Sequence, residues 1–299
     1  MAAFSDGSFF DIKPMSYKKI KSFGELARVD KPIGIYLLLW PSLLGFLLAG
    51  TQNILNFKDF MIVVIGSIIV RSCGCVINDI SDYKIDKLVS RTAGRPLATG
   101  ALTILEAWMF FIVLGLLSIL LLLLTNSLTF KIATFFAFLI CIYPITKRFF
   151  SAPQFILGIT FGSGVLIGYS LITSQITFSV IILYLGVIAW IISFDTYYAL
   201  EDIEDDKKIG INSTAILWGD KAIMISRILH LLFYAAILMI AIINSFSYYF
   251  VLFFLSIFIV FIYQKKLIKN KDFIGAFKIN NLIGILTVLG FAFEIIIIG

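Results

Sequence analysis

Residues 104–124 read ILEAWMFFIVLGLLSILLLLL, with a single charge at Glu106. A helix rises about 1.5 Å per residue, so a stretch this long crosses the ~30 Å hydrocarbon core of a bilayer. From residue 112 to 124 it is apolar all round, as a helix surrounded by lipid or by other helices must be. The same ruler applied outward finds further spans near 33–50, 60–79, 128–145, 153–172, 178–199, 222–243, 246–263 and 279–298. The expected fold is therefore all-α, a polytopic membrane bundle of nine transmembrane helices, or eight if one short span is re-entrant. Composition agrees. Over 299 residues, 60% are hydrophobic, 14% are charged and mean hydropathy is +1.02, which leaves too little polar surface to cover a soluble fold. A disordered chain or a disulfide-framed one is excluded on the same ground. Cys73, Cys75 and Cys141 lie in apolar stretches, and His230 is the one histidine, so soft ligands are too few for a zinc or haem centre.

Charge orients the array. Of the 24 Lys and Arg residues, all but Lys58, Arg71 and Lys131 fall in the N-terminal segment or in the even-numbered loops. The positive-inside rule makes these segments cytoplasmic and places the C-terminus on the opposite side. The formal net charge of +6 is thus a consequence of topology and gives no support to nucleic-acid binding. Residues 14–31, PMSYKKIKSFGELARVDK, read as an amphipathic surface helix and not as a signal peptide. The expected organisation is a cytoplasmic amphipathic segment at 1–32 followed by one transmembrane domain at 33–299, integral to a bacterial inner membrane.

Half of the 18 acidic residues fall in two short clusters. The first, NDISDYKID at 78–86, ends the second span; the other runs from Asp195 through Glu201, Asp202, Glu204, Asp205 and Asp206 at the end of the sixth. Arg71, Cys75, Asn78, Asp82 and Asp86 recur at helical spacing, as do Asp195, Tyr198, Asp202 and Asp206. Isolated acidic loops are usually just solvated. Two rows with one-face spacing at the same membrane depth instead predict a shared polar cavity, because carboxylates near lipid need partners. Oxygen ligands without thiol or imidazole suit Mg²⁺ or Mn²⁺, which commonly complete their shell with substrate phosphates. Lys84, Lys147 and Arg148 are placed to complete a diphosphate clamp. Arg71, inside a span, reads either as a bidentate fork for a carboxylate or as the structural partner of a nearby acid.

The stretches NDISDYKIDKLVSRTAGRPLATG and DTYYALEDIEDDKKIGINSTAILWG resemble the NDxxDxxxD and DxxxD signatures of UbiA-type intramembrane prenyltransferases. RVDKPIGIYLLLWPSLLG and YPITKR are similar to the 4-hydroxybenzoate branch of that family. The resemblance runs from Arg28 to the last helix. It implies a nine-helix bundle with a cytoplasmic polar cap and a lateral opening to the lipid bilayer. It also implies Mg²⁺-dependent transfer of a polyprenyl group from an allylic polyprenyl diphosphate to the C3 position of 4-hydroxybenzoate, a step of ubiquinone biosynthesis. On that resemblance Asn78, Asp82, Asp195, Asp202 and Asp206 would hold metal and diphosphate, with Asp79 and Asp86 at motif positions beside them. Tyr143, Lys147 and Arg148, with Lys84, would sit at the diphosphate, and Arg71 with Tyr198 at the aromatic acid. Tyr143, Tyr197, Tyr198 and Phe161 are candidates to stabilise an allylic cation, and Asp195 to accept the ring proton. A sister reaction on another aromatic acceptor is the nearest alternative. A cation-coupled transporter is the alternative of another class, but it would place its acids nearer the midplane, on broken helices. His230, Cys73 and Cys75 read as packing residues. Gly158 with Gly162, and Gly164 with Gly168, read as close-approach pairs. Asn212-Ser213-Thr214 reads as the cap of the helix entering the seventh span.

Overall fold

The structure is a computed structural model and describes residues 17–89 and 92–298. A short helix, α1 (Tyr17–Leu26), precedes α2 (Ile33–Ala49) and the long α3 (Phe57–Asp86). After α4 (Pro96–Thr99) come α5 (Ile104–Leu122), α6 (Ser127–Phe149), α7 (Pro153–Thr173) and α8 (Phe178–Glu201). Two short pieces, α9 (Ile203–Ile209) and α10 (Thr214–Trp218), lead to α11 (Ala222–Ile243) and α12 (Phe250–Lys269). The chain ends with α13 (Phe273–Lys278), α14 (Asn280–Ala292) and a final π-helical turn, Phe293–Ile298. Among the described residues eight helical stretches are long and apolar enough to cross a membrane, while α2, with 17 residues, falls just short of that length. Every expected span coincides with an apolar helix. The second one runs on to Asp86 and so carries the whole first acidic motif inside one helix.

Side-chain caps start several of these helices. Asn56 Oδ1 accepts from the Asp59 N–H at 2.8 Å, and Asn126 Oδ1 from that of Thr129 at 2.9 Å. Thr103 and Glu106 form a reciprocal capping box at α5. Ser213 caps α10, the short helix before α11.

Small residues decide which helices abut. A Cβ on Gly164 or Gly168 of α7 would overlap Ser42 of α2, and one on Gly45 of α2 would overlap the Val165 carbonyl. Backbone-to-backbone approach there places α7 against α2, which in a membrane is where packing enthalpy is gained. Two indole donors tie the last helix inward: Trp40 Nε1 donates to Asn281 Oδ1 at 2.9 Å and Trp190 Nε1 to Asn280 Oδ1 at 2.8 Å. The main core draws Leu44, Val165, Leu183, Trp190, Phe233 and Phe291 from α2, α7, α8, α11 and α14. By contrast α5 buries only Ala107 and exposes Leu116, Leu117 and Leu120, as a helix on the lipid-facing rim does. The protein is an integral, multi-pass membrane protein.

α1 lies across one end of the bundle. Its Leu26 is buried with Val76, Leu97, Leu102 and Ala107, and Phe23 meets Phe110 edge to face at 5.1 Å. Lys19 pairs with Glu106.

Candidate active site

The end of α3 explains how the first motif divides. Each step of four residues overshoots a full turn by about 40°. Across Asn78, Asp82 and Asp86 the row therefore winds through about 80°, and Asp86 comes round to the arc of Asp79. The structure shows the result. Asp79, 1% exposed, accepts from Arg28 Nη2 at 2.9 and 2.8 Å and from Arg95 Nη1 at 3.1 Å. Asp86, also buried, accepts from Arg95 Nη1 at 3.0 and 2.9 Å. Both were expected beside the metal donors; both are engaged by arginines that spacing along α3 did not predict. Asn78 and Asp82, half-buried, lie on the neighbouring arc with Arg71.

Tyr143, one residue before Pro144 in α6, packs against the main core. It lies within electrostatic range of Asp195 on α8 and of Arg71 and Asp82 on α3. The Lys147 and Arg148 side chains, expected one turn further on, lie outside the described residues. Lys84 is exposed, with Nζ 5.9 Å from the centre of the adjoining Tyr83 ring.

Arg71 is gripped from two sides. Its guanidinium lies 5.2 Å from the centre of the Phe161 ring on α7, and a Cβ on Gly34 of α2 would come within 2.6 Å of Nη2 and 2.7 Å of Nε. Its Nε is buried without a hydrogen-bond partner. A ring face holds a cation without consuming its N–H donors. A buried Nε–H donor without a partner, on a guanidinium stacked against a ring, suits a carboxylate oxygen.

The second row is less regular than its spacing implied. α8 ends at Glu201 and α9 starts at Ile203, with Asp202 between them at φ −94°, ψ 4°. Asp195 and Tyr198 keep helical phase, and the Tyr198 ring lies 4.9 Å from that of Phe277 on α13. The place of Asp206 is set by the break and not by a continuing helix. Tyr197, expected among the cation-stabilising rings, is placed in the packed interior. Two residues past Asp195 means about 200° round the helix, and it is fully buried on the far side with Ile268 and Ala276. His230 packs between the rings of Tyr234 and Phe261 at 5.1 and 5.0 Å, with Nδ1 3.4 Å from Ser193 Oγ.

Among the described residues no three acidic, thiol or imidazole groups are gathered into a self-sufficient metal site. The candidate donors of the two motifs are carboxylates and one carboxamide, hard oxygen ligands in small number. That set fits a divalent cation whose shell is completed by phosphate oxygens and water.

The all-α membrane bundle thus carries two oxygen-rich helix ends, the one on α3 sharing an arc with the Arg71 guanidinium. The UbiA prenyltransferase family model matches residues 38–290, and the chain belongs to that family. It is 39% identical over 272 residues to the 4-hydroxybenzoate octaprenyltransferase of Saccharophagus degradans, covering 90% of this chain and 91% of that protein. The enzyme of the same name from Vibrio campbellii is 37% identical over 281 residues, covering 92% and 98%. Among solved structures, the apo UbiA homologue of Aeropyrum pernix K1 superposes with a TM-score of 0.75 at 24% identity, over 86% of this chain and 96% of that one. A UbiA homologue of Archaeoglobus fulgidus, bound to GPP and Mg²⁺, superposes at 0.64 with 20% identity, over 91% and 98%.

Proposed function

We propose that this protein transfers a polyprenyl group from an allylic polyprenyl diphosphate to C3 of 4-hydroxybenzoate, a membrane step of ubiquinone synthesis. The observation that carries the reading is the Arg71 guanidinium, held against the Phe161 ring with a buried, unpartnered Nε, on the arc of α3 that also carries Asn78 and Asp82. The 4-hydroxybenzoate octaprenyltransferases it resembles over nine-tenths of its length support the choice of acceptor.

Asn78 and Asp82 from α3, with Asp195, Asp202 and Asp206 from the second motif, hold the divalent cation, Mg²⁺. A divalent cation held there with the diphosphate would supply neutralisation of the charge that develops on the leaving group. Lys84, with Lys147 and Arg148 of the YPITKR stretch, supplies positive charge for the diphosphate. Arg71 receives the carboxylate of the aromatic acid, and Phe161 beneath it keeps the fork from turning. Tyr198 flanks the ring. The C1–O bond of the allylic diphosphate breaks, and the charge left on C1 meets the Tyr143 and Tyr198 faces while the bundle excludes water. C3 of the ring forms the new bond to C1, and an Asp195 carboxylate oxygen takes the ring proton. The N-terminus and this end of the bundle are cytoplasmic, the C-terminus lies across a bacterial inner membrane, and residues 33–299 form one domain.

Membranes bearing the protein, given 4-hydroxybenzoate, a polyprenyl diphosphate and Mg²⁺, should yield the C3-prenylated acid. No product with an intact, inserted protein would sink the reading.

A further inference from the structure

Arg28 lies outside both acidic motifs, and the chemistry above does not use it. It stands in the turn after α1 with φ 59°, a left-handed conformation uncommon outside glycine. From there Nη1 donates to the Glu25 carbonyl at 2.7 Å, and Nη2 donates to both oxygens of Asp79, 51 residues away. Arg95, in the link after α3, bridges Asp79 to Asp86. Two arginines and two carboxylates thus balance one another on one side of α3.

The geometry has a consequence for Asn78 and Asp82. Successive residues are about 100° apart round a helix, so Asp79 cannot rotate without carrying its neighbours with it. Holding Asp79 on the α1 side leaves Asn78 and Asp82 on the arc that carries Arg71. The clamp also keeps two further negative charges neutralised beside a site that must receive a diphosphate.

We propose that Arg28 is a positioning residue: by chelating Asp79, with Arg95 bridging to Asp86, it sets the rotation of the last turns of α3 and aims Asn78 and Asp82 at the metal-diphosphate. The proposal rests on the reading of Asn78 and Asp82 as diphosphate-side ligands. It makes the docking of the surface helix α1 part of the active site's assembly.

The test uses the full chain in lipid nanodiscs, with Mn²⁺ binding in the presence of inorganic pyrophosphate followed by EPR, beside steady-state kinetics. Arg28→Gln should weaken Mn²⁺–pyrophosphate binding about tenfold and raise KM for the prenyl diphosphate, leaving KM for the aromatic acid unchanged. Arg28→Gln combined with Asp79→Asn should bind better than Arg28→Gln alone, because Asp79 then no longer carries a buried charge that shares Arg95 with Asp86. Asp79→Asn by itself keeps an acceptor for Arg28 and serves if Arg28→Gln fails to fold; it should show a weakened form of the same binding defect. Unchanged Mn²⁺–pyrophosphate binding in a folded Arg28→Gln protein would overturn the proposal, and so would losses that multiply in the double variant. Wild-type protein that binds Mn²⁺–pyrophosphate yet transfers no prenyl group would sink the proposed function and leave this inference standing.

Discussion

The Arg71 guanidinium lies 5.2 Å from the centre of the Phe161 ring, with its Nε buried and lacking any hydrogen-bond partner. An arginine within a membrane span costs about 2.5–3.5 kcal/mol on insertion scales. The ring offsets part of that cost without consuming an N–H donor, and the Nε–H is left for a ligand. Replacing Arg71 by Ala should raise KM for the aromatic acid about 10–100-fold while KM for the prenyl diphosphate stays within about twofold. Kinetics with each substrate varied in turn check this; equal rises in both would remove Arg71 from the acceptor side.

Gly34 gives a second handle on the same fork. The nearest atoms to a Cβ at this position belong to the far end of the Arg71 side chain, with Nη2 at 2.6 Å, so the fold can absorb it while the guanidinium shifts. Gly34→Ala should raise KM for the aromatic acid about 3–10-fold, with no change in thermal stability. A variant with wild-type kinetics would show that the fork tolerates displacement.

The metal assignment is tested by removal. EDTA, Asp82→Ala and Asp202→Ala should each lower turnover by at least about 100-fold in protein that remains folded. Product assays after gel filtration make the measurement. Activity retained in either variant would assign the cation to other residues.

Tyr197 and Tyr198 are adjacent but face different ways. Tyr197 buries its hydroxyl without a hydrogen-bond partner, and an unsatisfied buried polar group costs about 1–3 kcal/mol. Tyr197→Phe should therefore leave turnover within about twofold and hold or raise thermal stability. A large fall in turnover would place Tyr197 at the reacting atoms after all.

The α2–α7 contact should be intolerant of bulk. Gly168→Leu drives a side chain into the Ser42 carbonyl, a backbone atom that cannot give way, whereas Gly115 on α5 has open space around it. Gly168→Leu should destabilise the bundle by about 3 kcal/mol or more, and Gly115→Leu by less than about 0.5 kcal/mol. Thermal scans of the purified variants compare the two.

Long apolar runs such as residues 104–124 made the helices legible, because lipid admits few backbone solutions other than a helix. The two acidic clusters were legible for a related reason: nine carboxylates collected at the ends of two apolar spans stand out against hydrocarbon. Within the clusters legibility declined. Spacing grouped Asp86 with Asp82, but the 40° drift of each four-residue step, roughly, moved it to the face of Asp79. Spacing also assumed an unbroken helix to Asp206, while the chain turns at Asp202. Arg28 and Arg95 carried no local signal as partners, since a salt bridge across 51 residues has no trace in periodicity.

The amino-acid sequence alone therefore determined that the chain crosses a membrane repeatedly, which end of the bundle carries its carboxylates, and the family whose motifs it bears. Those properties follow from composition and short-range spacing, which act residue by residue along one helix. Only the tertiary structure decided which carboxylates are held by arginines, what Tyr197 packs against, and what grips Arg71. A helix's own spacing states which residues share a face, but what that face meets depends on neighbours brought in from elsewhere. Here those neighbours are set by backbone contacts such as Gly168 on Ser42 and by ion pairs such as Arg28 with Asp79.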